Sequence, residues 1–395
     1  MTLKNLLSTL TLAAAVLSVV PSGLTQDHRT RAALSRIEEQ GQKLLEGLVA
    51  RGVPGASAAL LLPDGRQVQV TAGIASFFSK ETMTSEHRML VGSTGKTFVS
   101  AVALALCAEG KLALDRTVKS YYDDPLPEWI SRVPNASAVT LRQLLQHSSG
   151  IPRYVMKPAF AAALKEDLER TFRPEELLSF VHGDRPLFAP GGGFSYADTN
   201  YIIVGILIEK VTGEPFYGLA RKRLLVPHGL SATVPSDRIE IPRMAGGRVV
   251  LTQFLGVPDT TLREDGSFTF NPQFEWCGGG FASTPTDLAR WAGILYTGRA
   301  FEKPYLPDLL SARDAPELGP SVGYGLGVML RDTGAGRLLG HEGVMPGYLT
   351  SLGHFPDCQI SAAIQVNTDA AARIGRPLTA VLVELVRIAQ QEFER

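Results

Sequence analysis

Short strand-like segments at both ends of the chain constrain its fold more than any other feature. Near the start, residues 56–62 and 67–72 are separated by a Pro63-Asp64-Gly65 turn, which predicts a β-hairpin. The last third contains four further apolar runs with turns between them, at residues 324–330, 337–341, 348–354 and 360–366. Because few strand signals lie between the two groups, the sequence predicts one antiparallel sheet built from both ends of the chain.

Helical patterns flank and separate these strands. Residues 31–51 and 377–393 carry apolar side chains at helical spacing, and we expect these terminal helices to cover one face of the sheet. The predicted fold class is therefore α/β of the α+β type. We expect one domain over residues 27–395, with a mostly helical insertion at approximately residues 112–270.

The N-terminal segment differs in composition from the rest of the chain. Lys4 precedes an apolar stretch at residues 6–20, and small and polar residues follow to residue 26. This order is typical of a secretory signal over about residues 1–26 and predicts a secreted or periplasmic protein. The stretch is short and contains Ser and Thr, so no stable membrane span is expected after cleavage; an uncleaved anchor is the alternative.

Charge and cysteine content exclude some functions. The 395 residues include 39 Lys and Arg and 39 Asp and Glu, and this balance argues against a nucleic-acid partner. The three cysteines, Cys107, Cys277 and Cys358, lack zinc-finger spacing. One disulfide is possible in an exported protein, although Cys107 fits an apolar helix core better. The sequence leaves the oligomeric state open.

Ser93 and Lys96 form the first candidate chemical site. They precede an apolar run at residues 99–107, and in a helix they would lie on one face. A serine hydroxyl needs a base to become a nucleophile, and a nearby lysine can serve that base or be it. A phosphate-binding loop would need glycine at Leu90, and a nucleophile elbow would need glycine at Val91. A simple capped helix end remains the structural alternative.

Two later segments carry further polar candidates. Tyr196 and Asp198 lie between a glycine-rich break at residues 190–193 and a predicted helix at residues 202–211. A loop at that place can present a side chain to a substrate. His341 and Glu342 end a predicted strand, but a zinc-protease motif would need histidine at Met345. We therefore expect no metal site.

Several fragments, in this order, resemble the penicillin-recognising serine hydrolases. This family includes class C β-lactamases, D-Ala-D-Ala carboxypeptidases, D-aminopeptidases and related esterases. The resemblance covers nearly the whole mature chain, and its fragments are EGKLALDRTV, TLRQLLQHSSGIP, PGGGFSYADTNYIIVGILIEKVTG, GGGFASTPTDLARWA, YGLGVML and GHEGVMPGYLTS. It implies a β-lactamase/DD-peptidase-like fold, acyl-enzyme chemistry, no cofactor, and a small peptide, ester or β-lactam as substrate.

The resemblance also implies roles for individual residues. Ser93 would be the nucleophile, Lys96 would hold the proton network around it, and Tyr196 would stand where the family's tyrosine stands. The backbone N–H groups of Ser93 and Val344 would form the oxyanion hole. Gly343 would let the strand edge lie close to the substrate.

Two residues depart from the usual family pattern. Asp198 replaces an amide Asn; its carboxylate can accept from Lys96 but cannot donate to a substrate. It favours a charged Lys96, and so favours Tyr196 over Lys96 as the general base, although the sequence leaves both open. His341 replaces the lysine of class C β-lactamases and matches the His-x-Gly form of carboxypeptidases and esterases. It could orient a substrate carboxylate only in part, because histidine is mostly neutral at pH 7.

These residues predict a serine hydrolase that works through an acyl-enzyme on Ser93. The favoured activity is that of a D-Ala-D-Ala carboxypeptidase-like peptidase or an esterase. The alternatives are a β-lactamase and, in another class of protein, a catalytically weak peptidoglycan- or penicillin-binding protein. The sequence does not choose among peptide, ester and β-lactam substrates.

Overall fold

The computed structural model describes residues 22–394. The predicted signal segment falls mainly on residues 1–21, outside the described residues, and its last five residues begin the first helix. None of the described helices is both long enough and apolar enough to cross a membrane. All three cysteines are free thiols, with Cys107 and Cys277 buried in the core.

A large antiparallel sheet joins the two ends of the chain, as the sequence predicts. Its strand order is β2-β1-β11-β10-β9-β8-β7-β6, and a small sheet has the order β3-β5-β4. In β1, Ala58 pairs with Val70 of the N-terminal hairpin and with Ile364 near the C-terminus. The strands are β1 (Gly55–Leu61), β2 (Gln67–Gly73), β3 (Met89–Leu90), β4 (Val234–Pro235), β5 (Phe281–Ser283), β6 (Arg313–Asp314), β7 (Gly323–Tyr324), β8 (Met329–Thr333), β9 (Gly336–Met345), β10 (Tyr348–Phe355) and β11 (Ile360–Val366).

Helices cover both faces of the large sheet. The terminal helices α1 and α12 pack on one face through Leu45, Leu48 and Leu385, and α9 packs on the other. The helices are α1 (Ser22–Ala50), α2 (Lys96–Ala108), α3 (Glu128–Arg132), α4 (Leu141–Leu145), α5 (Pro158–Glu166), α6 (Pro174–Ser179), α7 (Asp198–Thr212), α8 (Phe216–Ala220), α9 (Pro285–Tyr296), α10 (Leu306–Leu310), α11 (Ala371–Ile374) and α12 (Leu378–Glu394). Short 3-10 turns include Gly92–Gly95, Leu251–Leu255 and Pro272–Gly278.

The core of the molecule lies where α2 meets the helical middle of the chain. The run after Lys96 is buried almost throughout, because nearly all of its residues are apolar or small. Phe98 stacks on Trp291 of α9 with ring centroids 4.4 Å apart. This packing fixes α2, and therefore the residues just before it, against the sheet.

One predicted strand is wrong. Residues 324–330 form two short strands, β7 and β8, with a loop between them. At Gly327 the backbone has φ 82°, and a Cβ added at Gly325 would lie 2.1 Å from the carbonyl oxygen of Leu309. The glycines therefore allow a tight detour that an apolar-run pattern does not reveal.

Candidate active site

Ser93 lies in the turn Gly92–Gly95, immediately before α2, rather than in the first turn of an α-helix. Lys96 begins α2, and its Nζ donates to Ser93 Oγ at 3.0 Å. The i, i+3 spacing predicted this proximity, since a 3-10 turn also brings residues three apart onto one side. The two side chains therefore form one local unit at the entrance to the buried core.

Strand β9 runs directly against this turn. A Cβ added at Gly92 would lie 2.7 Å from the backbone nitrogen of Val344, and one at Gly343 would lie 1.9 Å from the Val91 carbonyl oxygen. Only glycine allows backbones to approach this closely. The close approach brings Val344, a predicted oxyanion residue, beside the Ser93 turn.

Lys96 is fully buried and has a complete set of acceptors. Its Nζ donates to Ser93 Oγ at 3.0 Å, to Asp198 Oδ1 at 2.6 Å and to the carbonyl oxygen of Gly278. Burial by itself lowers the pKa of Lys96, but the charge of Asp198, assisted by Tyr196 and Glu275, raises it more. An ammonium has three hydrogens to donate, so these three acceptors match the charged form.

Asp198 bridges two cations. Its Oδ2 accepts from Arg153 Nη2 at 2.8 Å and from Nε at 3.2 Å, while Oδ1 accepts from Lys96. Burial opposes ionisation, yet the charges of Lys96 and Arg153 hold the pKa of Asp198 well below its usual range. Sequence reasoning missed Arg153. Asp198 could have indicated it, because a buried carboxylate in place of a neutral amide needs positive charge beside it.

Tyr196 lies at the centre of the site, in the loop ahead of α7. Lys96 Nζ is 5.0 Å and the Arg153 guanidinium carbon 5.2 Å from its ring centroid. The phenol oxygen is buried and makes no well-aligned hydrogen bond with the described residues. Burial raises the pKa of Tyr196, although Lys96 and the Ser93 hydroxyl lie near enough to lower it in part. The resting phenol is therefore protonated.

His147 supports Tyr196 from one side. Its ring centroid is 4.1 Å from that of Tyr196, and its Nδ1 accepts from the Ala197 N–H at 3.2 Å. Burial and the charge of Lys96 keep the pKa of His147 well below its ordinary value, so the ring is neutral. This contact agrees with a supporting rather than a catalytic position.

His341 is buried beside Tyr196, with ring centroids 6.4 Å apart. Its Nδ1 donates to the Glu342 carbonyl oxygen at 2.6 Å, and its Nε2 accepts from the Tyr324 hydroxyl at 2.9 Å. Burial, with the charge of Lys96, lowers the pKa of His341 to about 3. Both ring nitrogens are occupied and the ring is neutral, so this geometry leaves neither of them to orient a substrate carboxylate.

A cavity of about 470 Å³ opens in front of Ser93, Tyr196 and Asp198. Its rim is apolar: Met156, Leu251 and Phe254 are each more than half exposed there. The turn Leu251–Leu255 is anchored by Asp369, whose carboxylate accepts from the backbone N–H groups of residues 250–252. The cavity can therefore receive a small molecule with one apolar part.

The cavity wall also holds Glu275, which sequence reasoning missed. The side chain is buried, and burial together with the charge of Asp198 raises the pKa of Glu275 to about 7. The sequence feature that could have drawn attention to Glu275 is the run of glycines at residues 278–280, three residues later. Within residues 22–394 we find no cluster of His, Cys, Asp and Glu side chains arranged to hold a metal ion.

Comparison with known proteins identifies the class of protein that this fold and site define. A family model described as Beta-lactamase matches residues 35–385. The chain belongs to this family and is a serine hydrolase of the penicillin-recognising class, as the sequence fragments predict.

Individual relatives include amide-cleaving enzymes. The chain is 27% identical over 322 residues to a D-aminopeptidase of Brucella anthropi, covering 81% of this chain and 57% of that relative. A D-stereospecific amidohydrolase from Streptomyces sp. has a similar structure, with 30% identity, a TM-score of 0.72, and coverage of 85% of this chain and 97% of that one. A D-amino acid amidase from Ochrobactrum anthropi SV3, complexed with D-phenylalanine, shares the fold at 24% identity, a TM-score of 0.76, and coverage of 90% and 99%. The chain thus spans little more than half the length of the curated D-aminopeptidase.

Proposed function

We propose that the protein hydrolyses the amide bond of small amino-acid amides or short peptides through an acyl-enzyme on Ser93. The observation that carries this proposal is the cluster of Ser93, Lys96 and Tyr196 at the floor of the cavity. Lys96 contacts the nucleophile, and Tyr196 has no competing hydrogen-bond partner among the described residues. Acyl transfer needs such a nucleophile and a group that can move its proton.

The proposed proton route uses a neutral tyrosine. Ser93 Oγ attacks the substrate carbonyl carbon and gives its proton to the Tyr196 oxygen, while Tyr196 gives its own proton to the leaving nitrogen. The amide C–N bond then breaks, and the amine leaves. Water then attacks the acyl carbon and gives a proton to the Tyr196 oxygen, while Tyr196 gives its own proton to Ser93 Oγ. The ester bond to Ser93 breaks, and the acid leaves. Lys96 stays charged throughout, because its three hydrogens are held by three acceptors.

The oxyanion that forms during attack needs donors that are already in place. We assign this role to the backbone N–H groups of Ser93 and Val344, which the glycine contacts bring together. The charges of Lys96 and Arg153 add a positive field at the same end of the cavity.

The substrate preference follows from the cavity charges and the relatives. A carboxypeptidase must bind a free carboxylate, but Arg153 already pairs with Asp198 and His341 is neutral and occupied. We therefore favour an amidase or aminopeptidase over a D-Ala-D-Ala carboxypeptidase or a β-lactamase. The D-aminopeptidase and D-stereospecific relatives support a D-amino acid as acyl donor. Short esters are the second candidate, because the apolar rim suits their acyl chains.

A substrate panel tests this proposal. The purified protein is assayed with D- and L-alanine and phenylalanine p-nitroanilides, a D-Ala-D-Ala peptide, nitrocefin and p-nitrophenyl butyrate. We expect the D-amino-acid anilides to be cleaved best. Ser93→Ala should abolish turnover and fluorophosphonate labelling, whereas Ser195→Ala, a serine of the adjacent loop, should retain both. Undiminished labelling of Ser93→Ala, or cleavage of nitrocefin alone, would contradict the proposal.

A further inference from the structure

One carboxyl group in the cavity has no partner among the side chains and backbone groups that the structure describes. Four acidic side chains line the cavity, and three of them have partners. Asp198 pairs with Lys96 and Arg153, and Glu317 accepts from the Tyr196 backbone N–H. Glu342 accepts from Thr379 and pairs with Arg331. Glu275 is only 5% exposed, and its carboxyl makes no hydrogen bond or ion pair with the described part of the chain. A buried carboxyl without a partner is costly, so its presence on a cavity wall points to a ligand.

The backbone around Glu275 is held from several sides. The side chain of Gln273 accepts from the Phe172 N–H and donates to the Phe172 carbonyl oxygen, both at 2.9 Å. The Phe274 carbonyl oxygen accepts from the Tyr154 hydroxyl at 2.7 Å. The next residue, Trp276, has φ 37° and ψ −121°, a conformation that a non-glycine residue rarely adopts. These contacts fix the main chain that presents the Glu275 side chain to the cavity.

Glu275 lies close to the reacting groups. A Cβ added at Gly278 would be 3.6 Å from Glu275 Oε1 and 3.7 Å from Asp198 Cβ, and the Gly278 carbonyl accepts from Lys96. The charged groups that act on Glu275 are Asp198, Lys96 and Arg153. A ligand group bound by Glu275 would therefore lie in the same cavity as Ser93, near the groups that contact Lys96 Nζ.

We propose that Glu275 binds the primary ammonium of the substrate, the free α-amino group of the acyl-donating amino acid. This inference rests on the function proposed above and narrows its substrate class. An ammonium supplies both the charge and the hydrogen bonds that the carboxyl lacks. The apolar rim at Met156, Leu251 and Phe254 takes the side chain of the same amino acid. The preferred substrates are thus amides of apolar amino acids with an unblocked amine.

Matched substrates test this assignment on the unaltered protein. D-Phenylalanine p-nitroanilide is compared with its N-acetyl derivative and with 3-phenylpropionyl p-nitroanilide, which lacks the amine. We expect kcat/KM to be about 10- to 100-fold higher for the free amine, since hydrogen bonds to charged groups are worth that factor.

Glu275→Gln separates binding from a general effect on the site. KM for the free-amine substrate should rise about 10- to 100-fold with a small change in kcat, while kinetics on the amine-free substrate should change little. Glu166→Gln, at an exposed acid that does not line the cavity, should behave as the unaltered protein. Glu342→Gln, at a paired acid on the same wall, should leave the selectivity for the amine in place.

The outcomes distinguish this inference from the proposed function. If no amide is cleaved, the proposed function is wrong and the inference falls with it. If amides are cleaved but the N-acetyl and free-amine substrates react equally, only the inference is wrong. The inference is also wrong if Glu275→Gln lowers kcat equally on the free-amine and amine-free substrates. It is wrong, too, if Glu342→Gln loses as much selectivity for the amine as Glu275→Gln does.

Discussion

Two polar clusters flank Tyr196; one carries charges, and the other is neutral. The charged cluster consists of Lys96, Asp198 and Arg153. The neutral cluster consists of His147, Tyr324 and His341. Members of both lie within 6.4 Å of the Tyr196 ring centroid. Depth of burial therefore does not decide which groups carry charge.

The difference between the clusters lies in one carboxylate. Asp198 contacts Lys96 and Arg153 within hydrogen-bonding distance and raises the pKa of both. Among residues 22–394 the two histidines have no carboxylate partner, and burial together with the charge of Lys96 lowers their pKa values. A buried base remains charged only where an anion touches it. In this site Asp198 pairs with Lys96 and keeps it charged, whereas the histidines are neutral.

Removing Lys96 breaks the charged cluster most severely. We expect Lys96→Met to lower kcat/KM by at least roughly 10³-fold, because Ser93 loses its positive neighbour and Asp198 loses one counter-charge. Steady-state kinetics on the best anilide measure this loss. The exposed Lys119→Met serves as the control and should retain full activity. Retention of more than a tenth of the activity in Lys96→Met would show that the lysine is dispensable.

Glu275 offers an anion without the partners of Asp198, and its effect on stability depends on pH. Its folded-state pKa of about 7 exceeds the ordinary 4.5, so the folded state binds the extra proton and stability falls as pH rises through that range. Glu275→Gln should therefore gain stability relative to the unaltered protein, by up to about 3 kcal/mol at pH 8.

This gain should shrink towards zero as the pH falls below about 4.5, where the glutamate is protonated in both states. Urea denaturation at several pH values measures it, with Glu166→Gln as the control. If the difference in unfolding free energy between the two proteins did not vary with pH, the Glu275 carboxylate would have to be stabilised by a counter-charge in the folded state.

Neutralising Asp198 tests whether it holds the charged cluster together. Asp198→Asn should lower the free energy of unfolding by about 2 kcal/mol at neutral pH, because Lys96 remains buried without its anion. The double variant Asp198→Asn with Arg153→Met removes a second charge and should recover part of that loss. Chemical denaturation of the single and double variants gives the coupling. Strictly additive losses would show that Arg153 and Asp198 act independently.

The neutral cluster predicts the smallest effect. Tyr324→Phe removes the hydroxyl that donates to His341 Nε2 and leaves that nitrogen unpaired. We expect destabilisation by about 1 kcal/mol, with kcat nearly unchanged. Thermal unfolding and anilide kinetics measure the two effects. A large fall in kcat would place the Tyr324–His341 pair in the catalytic path.

Local patterns in the sequence determined much of the architecture. Short apolar runs bounded by turns predicted the hairpin β1–β2 and the strands β10 and β11, and helical spacing predicted α1 and α12. The proximity of Ser93 and Lys96 follows from their separation of three residues in a helical turn. These features depend on neighbours along the chain, and so the sequence alone specifies them.

Only the tertiary structure decided the charges of the site. Arg153, Asp198 and Glu275 come from three distant segments, and the pKa of each depends on which of the others it touches. The same holds for His341, whose two nitrogens are taken by Tyr324 and its own strand. The sequence thus predicted the candidate nucleophile and the fold, whereas packing determined which side chains of the site are charged. Electrostatic interactions act between atoms close in space, and only folding makes these residues neighbours.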